Sequence, residues 1–446
     1  MNTKRGAASL LLGVILAACT GTSASPTPGG PPPSAPNPTP LTTTVPTATP
    51  APTAAALTAS PLVAPTPTAV PLPAPTAAPT PSSCVTLNEY VVVTGDTLWD
   101  IAVRNSMTLA ALLAANPQVR DSRLIHRGDR ITISPLDLWS SAETWSTAFG
   151  INERGQIVGR STSSSRAILW QDGVITDLGS LGGSYAMAAA VNNRGQVVGE
   201  STNASYDGHA FLWQDGTMTD LGTLDGTSSE GQALQWSEAG DINERGQVVG
   251  SSSTTTDTHA FLWQDGTMVD LGTLGGEGSR RAAAINDHGQ IAGSADTSDD
   301  SVTSGEDYAF LWQDGAMTDL GTLGGRGSWA LGLNDRGQVV GHSLTASGAY
   351  HAFLWQNGVM TDLGTLGGSK SEATAINNRG QIVGHSETKS GATHAFLWQD
   401  GTMTDLGTLG GESSWAFAIN DCGQAVGSSD DPWGRRHAVL WQLDTK

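Results

Sequence analysis

A seven-fold internal repeat constrains this chain more than any other feature. The unit is clearest at Ala373-Thr-Ala-Ile-Asn377-x-x-Gly380-Gln381-Ile-Val-Gly384. It continues as His394-Ala-Phe-Leu-Trp398-Gln-Asp-Gly401-x-Met-Thr-Asp405-Leu-Gly. The Asn recurs at 152, 192, 243, 286, 334, 377 and 420, and the Trp at 170, 213, 263, 312, 355, 398 and 441. The basal spacing is 43 residues. Repeats of this size stack as supersecondary units that bury a shared core.

Each unit reads as four strands. Ala-x-x-Ile leads into an Asn-x-x-Gly turn, whose Asn and Gly suit tight backbone geometry. Gln-Val/Ile-Val-Gly is the second strand and His-Ala-Phe-Leu-Trp the third. Gln-Asp-Gly or Gln-Asn-Gly signals a hairpin, and x-Met-Thr-Asp-Leu-Gly is the fourth. Four short strands in about 43 residues is the arithmetic of a β-propeller blade. A β-helix coil uses fewer residues per turn and ranks second. The fold class expected is mainly β: a seven-bladed propeller over 136–446.

Spacing also predicts how the ring closes. A fourth-strand Asp usually stands 15 residues before the next Asn, as in Asp177 to Asn192 or Asp362 to Asn377. The last unit ends at Trp441-Gln442 and lacks a fourth strand. Asp137 stands 15 residues before Asn152. Leu136–Leu138 is therefore expected to supply the missing strand, which leaves no open sheet edge.

Composition divides the rest. Residues 20–83 hold 19 of the 22 prolines and no charged residue. Such a chain cannot bury enough apolar surface to offset its ordering entropy, so a stalk is expected over 19–83. The net charge is -20, and the acidic excess lies in 140–446. That balance argues against nucleic-acid binding, which relies on basic residues. At the start, Lys4 and Arg5 precede an apolar run, Ala7 to Ala18. The run is too short to span a bilayer and fits a secretory signal over 1–18. It ends Leu16-Ala17-Ala18-Cys19, which resembles the bacterial lipobox. That resemblance implies a lipidated Cys19 and a membrane-anchored protein at the cell envelope or surface.

Between stalk and array, 84–135 carries Tyr90-x-Val92-x-x-Gly95-Asp96-Thr97-Leu98-Trp99-x-Ile101-Ala102. Leu109-x-x-Leu112-Leu113-x-x-Asn116-Pro117 and Ile125-x-x-Gly128-x-x-Ile131-x-Ile133 follow. The pattern reads strand, helix, helix, strand, with Thr97 placed to cap the first helix. It resembles the LysM domain. The resemblance implies binding of N-acetylglucosamine-containing glycan such as peptidoglycan. The groove would be formed by Gly95, Asp96, Thr97 and Leu98 facing Asn116, Pro117, Leu124 and Ile125. The array resembles the extracellular HAF-family repeats, with His-Ala-Phe at His209, His259, His351 and His394.

Insertions between blades and between second and third strands open on the face opposite the Asn-x-x-Gly turns. Binding loops collect where insertions are tolerated. The same face should receive Trp145, Tyr185, Trp236, Trp329, Trp415 and Trp433, which are outside the template. They are candidates for stacking on sugar or protein, with packing between blades as the plainer role. The repeated Asp is expected to accept local backbone donors, and the repeated His to bond between strands. Asp296, Asp299, Asp300, Glu306 and Asp307 cluster in the longest insertion without a calcium-loop pattern, so a solvated loop is expected. Cys84 and Cys422 could pair in an oxidising compartment. No catalytic motif, metal site or cofactor is expected. The reading is a non-catalytic envelope protein whose propeller presents a protein- or glycan-binding face. The alternative is an extracellular hydrolase or lyase with its site in the propeller channel.

Overall fold

The computed structural model describes residues 89–104, 109–114, 116, 119, 125–133, 136–138, 146–161, 164–224, 236–254, 257–276, 281–297 and 307–443. The expectations for the signal segment, Cys19, the stalk, Cys84, Pro117, Leu124, Trp145, Asp299, Asp300 and Glu306 lie outside these residues.

The small module runs β1 (Glu89–Val91), α1 (Leu98–Arg104), α2 (Leu109–Ala114) and β2 (Arg130–Thr132). The two strands pair antiparallel, Tyr90 opposite Ile131. Val92, Leu98, Ile101, Ala102, Leu112, Ile131 and Ile133 form its core.

The array forms seven four-stranded antiparallel sheets. Blade 1 spans 146–177, blade 2 182–220, blade 3 237–270, blade 4 281–319, blade 5 324–362 and blade 6 367–405. Blade 7 combines 414–442 with β3 (Leu136–Asp137). There Leu136 pairs with Leu440 and Asp137 with Val439. The Leu138 amide donates to the Ala438 carbonyl at 3.0 Å. The first strand of the array thus completes the last blade, as the 15-residue spacing predicts. Leu138, Leu440, Ala438, Trp170, Ile157 and Ala148 pack together across this seam.

Repeated residues hold neighbouring blades together. Phe211, Phe261, Phe310, Phe353 and Phe396 are fully buried. Ser237, Ser328, Ser371 and Ser414 each accept an alanine amide of the preceding blade and donate to a glycine carbonyl there. Ser146 accepts the Ala438 amide, which carries the same contact across the closure.

The repeated Asn does more than make a turn. In blade 6, Asn377 Oδ1 accepts the amides of Arg379 and Gln381. Its Nδ2 donates to Gln381 Oε1 and to the Asn420 carbonyl of blade 7. The same inter-blade bond recurs from Asn152 to Asn192, then to Asn243, Asn286, Asn334, Asn377, Asn420 and back to Asn152. Seven buried amides therefore form a closed circle of hydrogen bonds. A second circle lies beside it. The amides of Glu153, Asn193, Glu244, Asp287, Asp335, Asn378 and Asp421 each donate to the next blade's side chain at the same position.

The repeated His and Asp pair with each other across the third and fourth strands. His394 Nδ1 lies 2.7 Å from Asp405 Oδ2, while Asp405 Oδ1 accepts the Gly407 amide. His209, His259 and His351 repeat the arrangement. In blade 7, His437 meets Asp137 of β3 at 3.2 Å. Arg166 takes the histidine's place in blade 1 and bonds Asp177.

Candidate functional site

Two regions can meet a ligand. In the small module, Asp96 ties down the loop after β1. Asp96 Oδ2 accepts the Val93 amide and the Tyr90 hydroxyl, both at 2.8 Å, and Oδ1 accepts Arg104. Thr97 Oγ1 accepts the Asp100 amide at the start of α1, an N-cap. Asn116 Nδ2 donates to the Leu112 and Thr132 carbonyls, and Oδ1 accepts the Thr132 amide. Asn116 therefore ties the end of α2 to β2.

The second region is the end of the propeller opposite the Asn turns. Five residues before each Asn stands one position that differs in nearly every blade: Thr147, Met187, Glu238, Arg281, Trp329, Glu372 and Trp415. Its cross-strand neighbours vary too: Arg160, Glu200, Ser251, Ser294, His342, His385 and Ser428. The residue that follows the first position in each blade is alanine, while the position three before each Asn varies as well, as Phe149, Ala189, Gly240, Ala283, Leu331, Thr374 and Phe417. A β-bulge follows the variable residue, and the second-strand glycine opposite makes room for it. At Gly384, a Cβ would collide with the Glu372 carbonyl.

These side chains interact across blades. Arg281 Nε lies 3.8 Å from Glu238 Oε1. His342 Nδ1 of blade 5 lies 3.3 Å from Glu372 Oε2 of blade 6. That contact lacks hydrogen-bond alignment, and the Nδ1 atoms of His342 and His385 have no hydrogen-bond partner. Enclosure sets their charge. Burial pushes Glu372 up to about 7, opposed by Arg281, and pushes His342 and His385 down to about 4. Glu372 still keeps 34% of its side chain exposed. Glu372 lies on the first strand of blade 6, and the first strands of successive blades adjoin one another around the ring.

The family model for the LysM domain matches residues 90–134. Residues 90–134 are a LysM domain. That supports binding of peptidoglycan or N-acetylglucosamine polymers by this part of the chain. No curated protein matches the chain. Among solved structures it is similar to the β-propeller domain of the Trilobed protease from Pyrococcus furiosus. That match has 10% identity and a TM-score of 0.43, over 68% of this chain and 97% of that one. A gluconolactonase from Xanthomonas campestris matches at 14% and 0.36, over 69% and 89%. A puromycin-hydrolyzing peptidase from Mycobacterium tuberculosis matches at 13% and 0.45, over 70% and 55%. None of the three bears on what this propeller binds.

Within the LysM domain, Gly95 and Thr97 are exposed, Ile125 is half-buried, and Leu98 is 1% exposed. The side-chain atoms of Asp96 and Asn116 are taken up by internal bonds, so these two shape the loops. Trp99, read from sequence only as part of the motif, is 62% exposed on α1.

At the propeller mouth, Tyr185 and Trp236 stand seven residues before an Asn, and Trp329 and Trp415 five before. All four share one side of the first strands. Each has a charged neighbour. Arg160 lies 5.7 Å over Tyr185 and Arg436 3.9 Å over Trp415. Trp236 Nε1 donates to Glu200 and Trp329 Nε1 to Asp307. Trp433 stands apart, 76% exposed in the loop between second and third strands, with Arg435 over its ring. Sequence reasoning missed Glu200, Glu238, Arg281, His342, Glu372 and His385. It searched for what the repeats share, whereas the signal is the position where they differ.

Asp296 and Asp307 are the described members of the acidic insertion, and Asp307 serves Trp329. Among the described residues no three of His, Cys, Asp or Glu are placed to hold a metal ion. Cys422 is half of a disulfide, and its partner cysteine lies outside the described residues. Its sulfur has no proton to donate, so the 3.5 Å approach to Glu153 Oε2 is a contact only.

Buried carboxyls make stability depend on pH. Burial pushes Glu153 up to about 7, against the Asp421 amide. It pushes Asp241 up to about 7, against the amides of Ile285 and Ile242. A carboxyl raised on folding stabilises below its unfolded pKa, and that contribution is lost as pH rises through about 7. His342 and His385, lowered on folding, oppose this only below about 6.5, where the unfolded imidazoles charge. Between pH 6.5 and 8.5 His394 and His437, raised by their bonds to Asp405 and Asp137, act in the same direction as the carboxyls, since their contribution too is lost as pH rises. The propeller should melt roughly 5 °C lower at pH 8.5 than at 6.5, and Glu153→Gln should flatten the slope. A melting temperature that rises over this range would contradict the assignment.

Proposed function

We propose that the chain is a non-catalytic binding protein of the bacterial cell envelope. In this reading a lipid on Cys19 holds it to a membrane, and the Pro/Thr-rich stalk spaces the folded parts away. The LysM domain grips peptidoglycan, and the propeller offers its channel mouth to a protein or glycan ligand. The lipobox-like run and the likeness to extracellular HAF repeats support the location.

One observation carries the propeller's role. The seven blades repeat the asparagine circle and the third-strand core, and vary on their first strands at positions seven, five and three before each Asn. Selection for closure alone gives no reason for Thr, Met, Glu, Arg, Trp, Glu and Trp at one place. Unlike side chains on adjoining strands are what selective recognition requires.

The hydrolase or lyase reading also has an observation in its favour. Glu200, Glu238 and Glu372 all belong to the variable cross-strand pairs, and Glu372 sits near 7, where a carboxyl can exchange protons at neutral pH. Neither His342 nor His385 Nδ1 bonds a nucleophile, so binding is the preferred reading.

The anchor is tested by fractionation. Wild-type protein should follow the membrane fraction, and Cys19→Ser should release most of it to the soluble fraction. A variant that stays with the membrane would remove lipid on Cys19 from the proposal. The glycan role is tested by cosedimentation with purified peptidoglycan, with and without 84–135.

A further inference from the structure

We infer that the cleft between blades 5 and 6 at the channel mouth binds a neutral, hydroxyl-rich saccharide. This rests on the reading that the mouth is the propeller's ligand site, and it names the class of ligand. The cleft is lined by Trp329, His342, Tyr350, Glu372 and His385.

The cleft is built rather than incidental. Trp329 Nε1 donates to Asp307 Oδ2 at 3.0 Å, which fixes the indole. The ring lies over Gly327, where a Cβ would approach it to 2.8 Å. Blades 2 and 3 carry Tyr185 and Trp236 at the position of Gly327. Glycine here makes room for the indole. His342 stacks on Trp329 with centroids 5.0 Å apart and planes 20° apart. Tyr350 meets His342 edge-on at 5.7 Å. The imidazole is thus clamped with Nδ1 facing Glu372, and His385 stands opposite Glu372 across the strands.

What the cleft lacks is a partner for its polar atoms. Two enclosed imidazole nitrogens have none among the protein's own atoms. Leaving a buried polar group unpaired costs about 1–3 kcal/mol, and native proteins pair nearly all of them. Here the unpaired atoms collect beside a carboxyl that water reaches. A ligand that completes these bonds must offer several groups able both to donate and to accept.

Chemistry narrows the class. An apolar ligand would leave the nitrogens unpaired. A metal ion is disfavoured because these donors do not converge on a point. An anion would face Glu372. A sugar's hydroxyls can donate to a neutral imidazole nitrogen or to a carboxylate. The same hydroxyls can accept from the protonated carboxyl. Tyr350, 39% exposed, offers its ring to the apolar face of a sugar.

The full chain, as wild type, Glu372→Gln and Tyr350→Ala, should be applied to an array of neutral oligosaccharides at pH 7. At least one neutral saccharide should lose tenfold or more of its signal in both variants. On N-acetylglucosamine polymers the LysM domain also contributes, so the propeller's share is the part the variants lose. Glu372→Gln keeps the side-chain volume and tests the idea even if Tyr350→Ala melts early. Signals unchanged in Glu372→Gln overturn the saccharide. An envelope pull-down with the same variants separates the two levels. If a protein partner is lost there while the array is unchanged, the mouth binds but takes no saccharide. If neither assay changes, the reading of the mouth falls as well.

Discussion

Asn377→Ala will lower the melting temperature of the propeller by roughly 6–12 °C. The side chain is 4% exposed and makes four hydrogen bonds. Alanine leaves the Asn420 carbonyl, Gln381 Oε1 and two amides without that partner in a site water reaches poorly. Unsatisfied buried groups cost about 1–3 kcal/mol each when no rearrangement helps, so a net loss of about 3 kcal/mol is expected. Asn377→Asp keeps the acceptor but sets a buried carboxylate oxygen against Gln381 Oε1 and the Asn420 carbonyl, and should melt no higher than Asn377→Ala. Thr147→Ala, at the variable position, should move the melting temperature by less than about 2 °C. Equal shifts for Asn377→Ala and Thr147→Ala would show that the asparagine circle does not hold the ring.

Removing β3 should have the larger effect. A chain beginning at residue 145 loses the pairing of Leu136 and Asp137 with Leu440 and Val439. It also loses Leu138, 7% exposed, from the seam core. The Leu138 contribution alone is about 2–3 kcal/mol. The third strand of blade 7, Arg436–Gln442, then becomes an open edge, which recruits other chains. Melting should fall by about 10 °C or more, with oligomers visible by light scattering. Unchanged melting of a monomer would defeat the closure. Asp137→Ala is the mild control. It removes one partner of His437, but Asp431 Oδ2 remains 3.3 Å away, so a loss under about 1 kcal/mol is expected.

Much of the fold is legible in the sequence because repetition converts one ambiguous signal into seven concordant ones. The Asn-x-x-Gly turn, the Gln-Asp-Gly hairpin and the 15-residue spacing are local and recur. Asp137 is the clearest case, since its distance to Asn152 identifies it as a displaced fourth-strand aspartate, and it meets His437 accordingly. The asparagine circle was not legible. Sequence shows that Asn377 can turn a chain, but its bond to Asn420 exists only once blades stand side by side.

The site was legible only in part. Trp329 and Trp415 stand out because a large aromatic at that position is no part of the repeat template. Glu372 and His342 do not, because a lone acid or imidazole on a strand usually faces solvent. Only the pairing of Glu372 with His385, and its approach to His342 from the next blade, gives them a common cleft. In the LysM domain the motif located the loops correctly. It could not tell that Asp96 and Asn116 spend their side chains on the fold, because a loop's internal bonds depend on how its ends are held.

The most direct test of the envelope reading is cosedimentation of the full chain with purified peptidoglycan, beside a chain lacking 84–135. The full chain should pellet with the polymer, and the bound fraction should fall at least tenfold without the LysM segment. Equal pelleting of the two chains would contradict it.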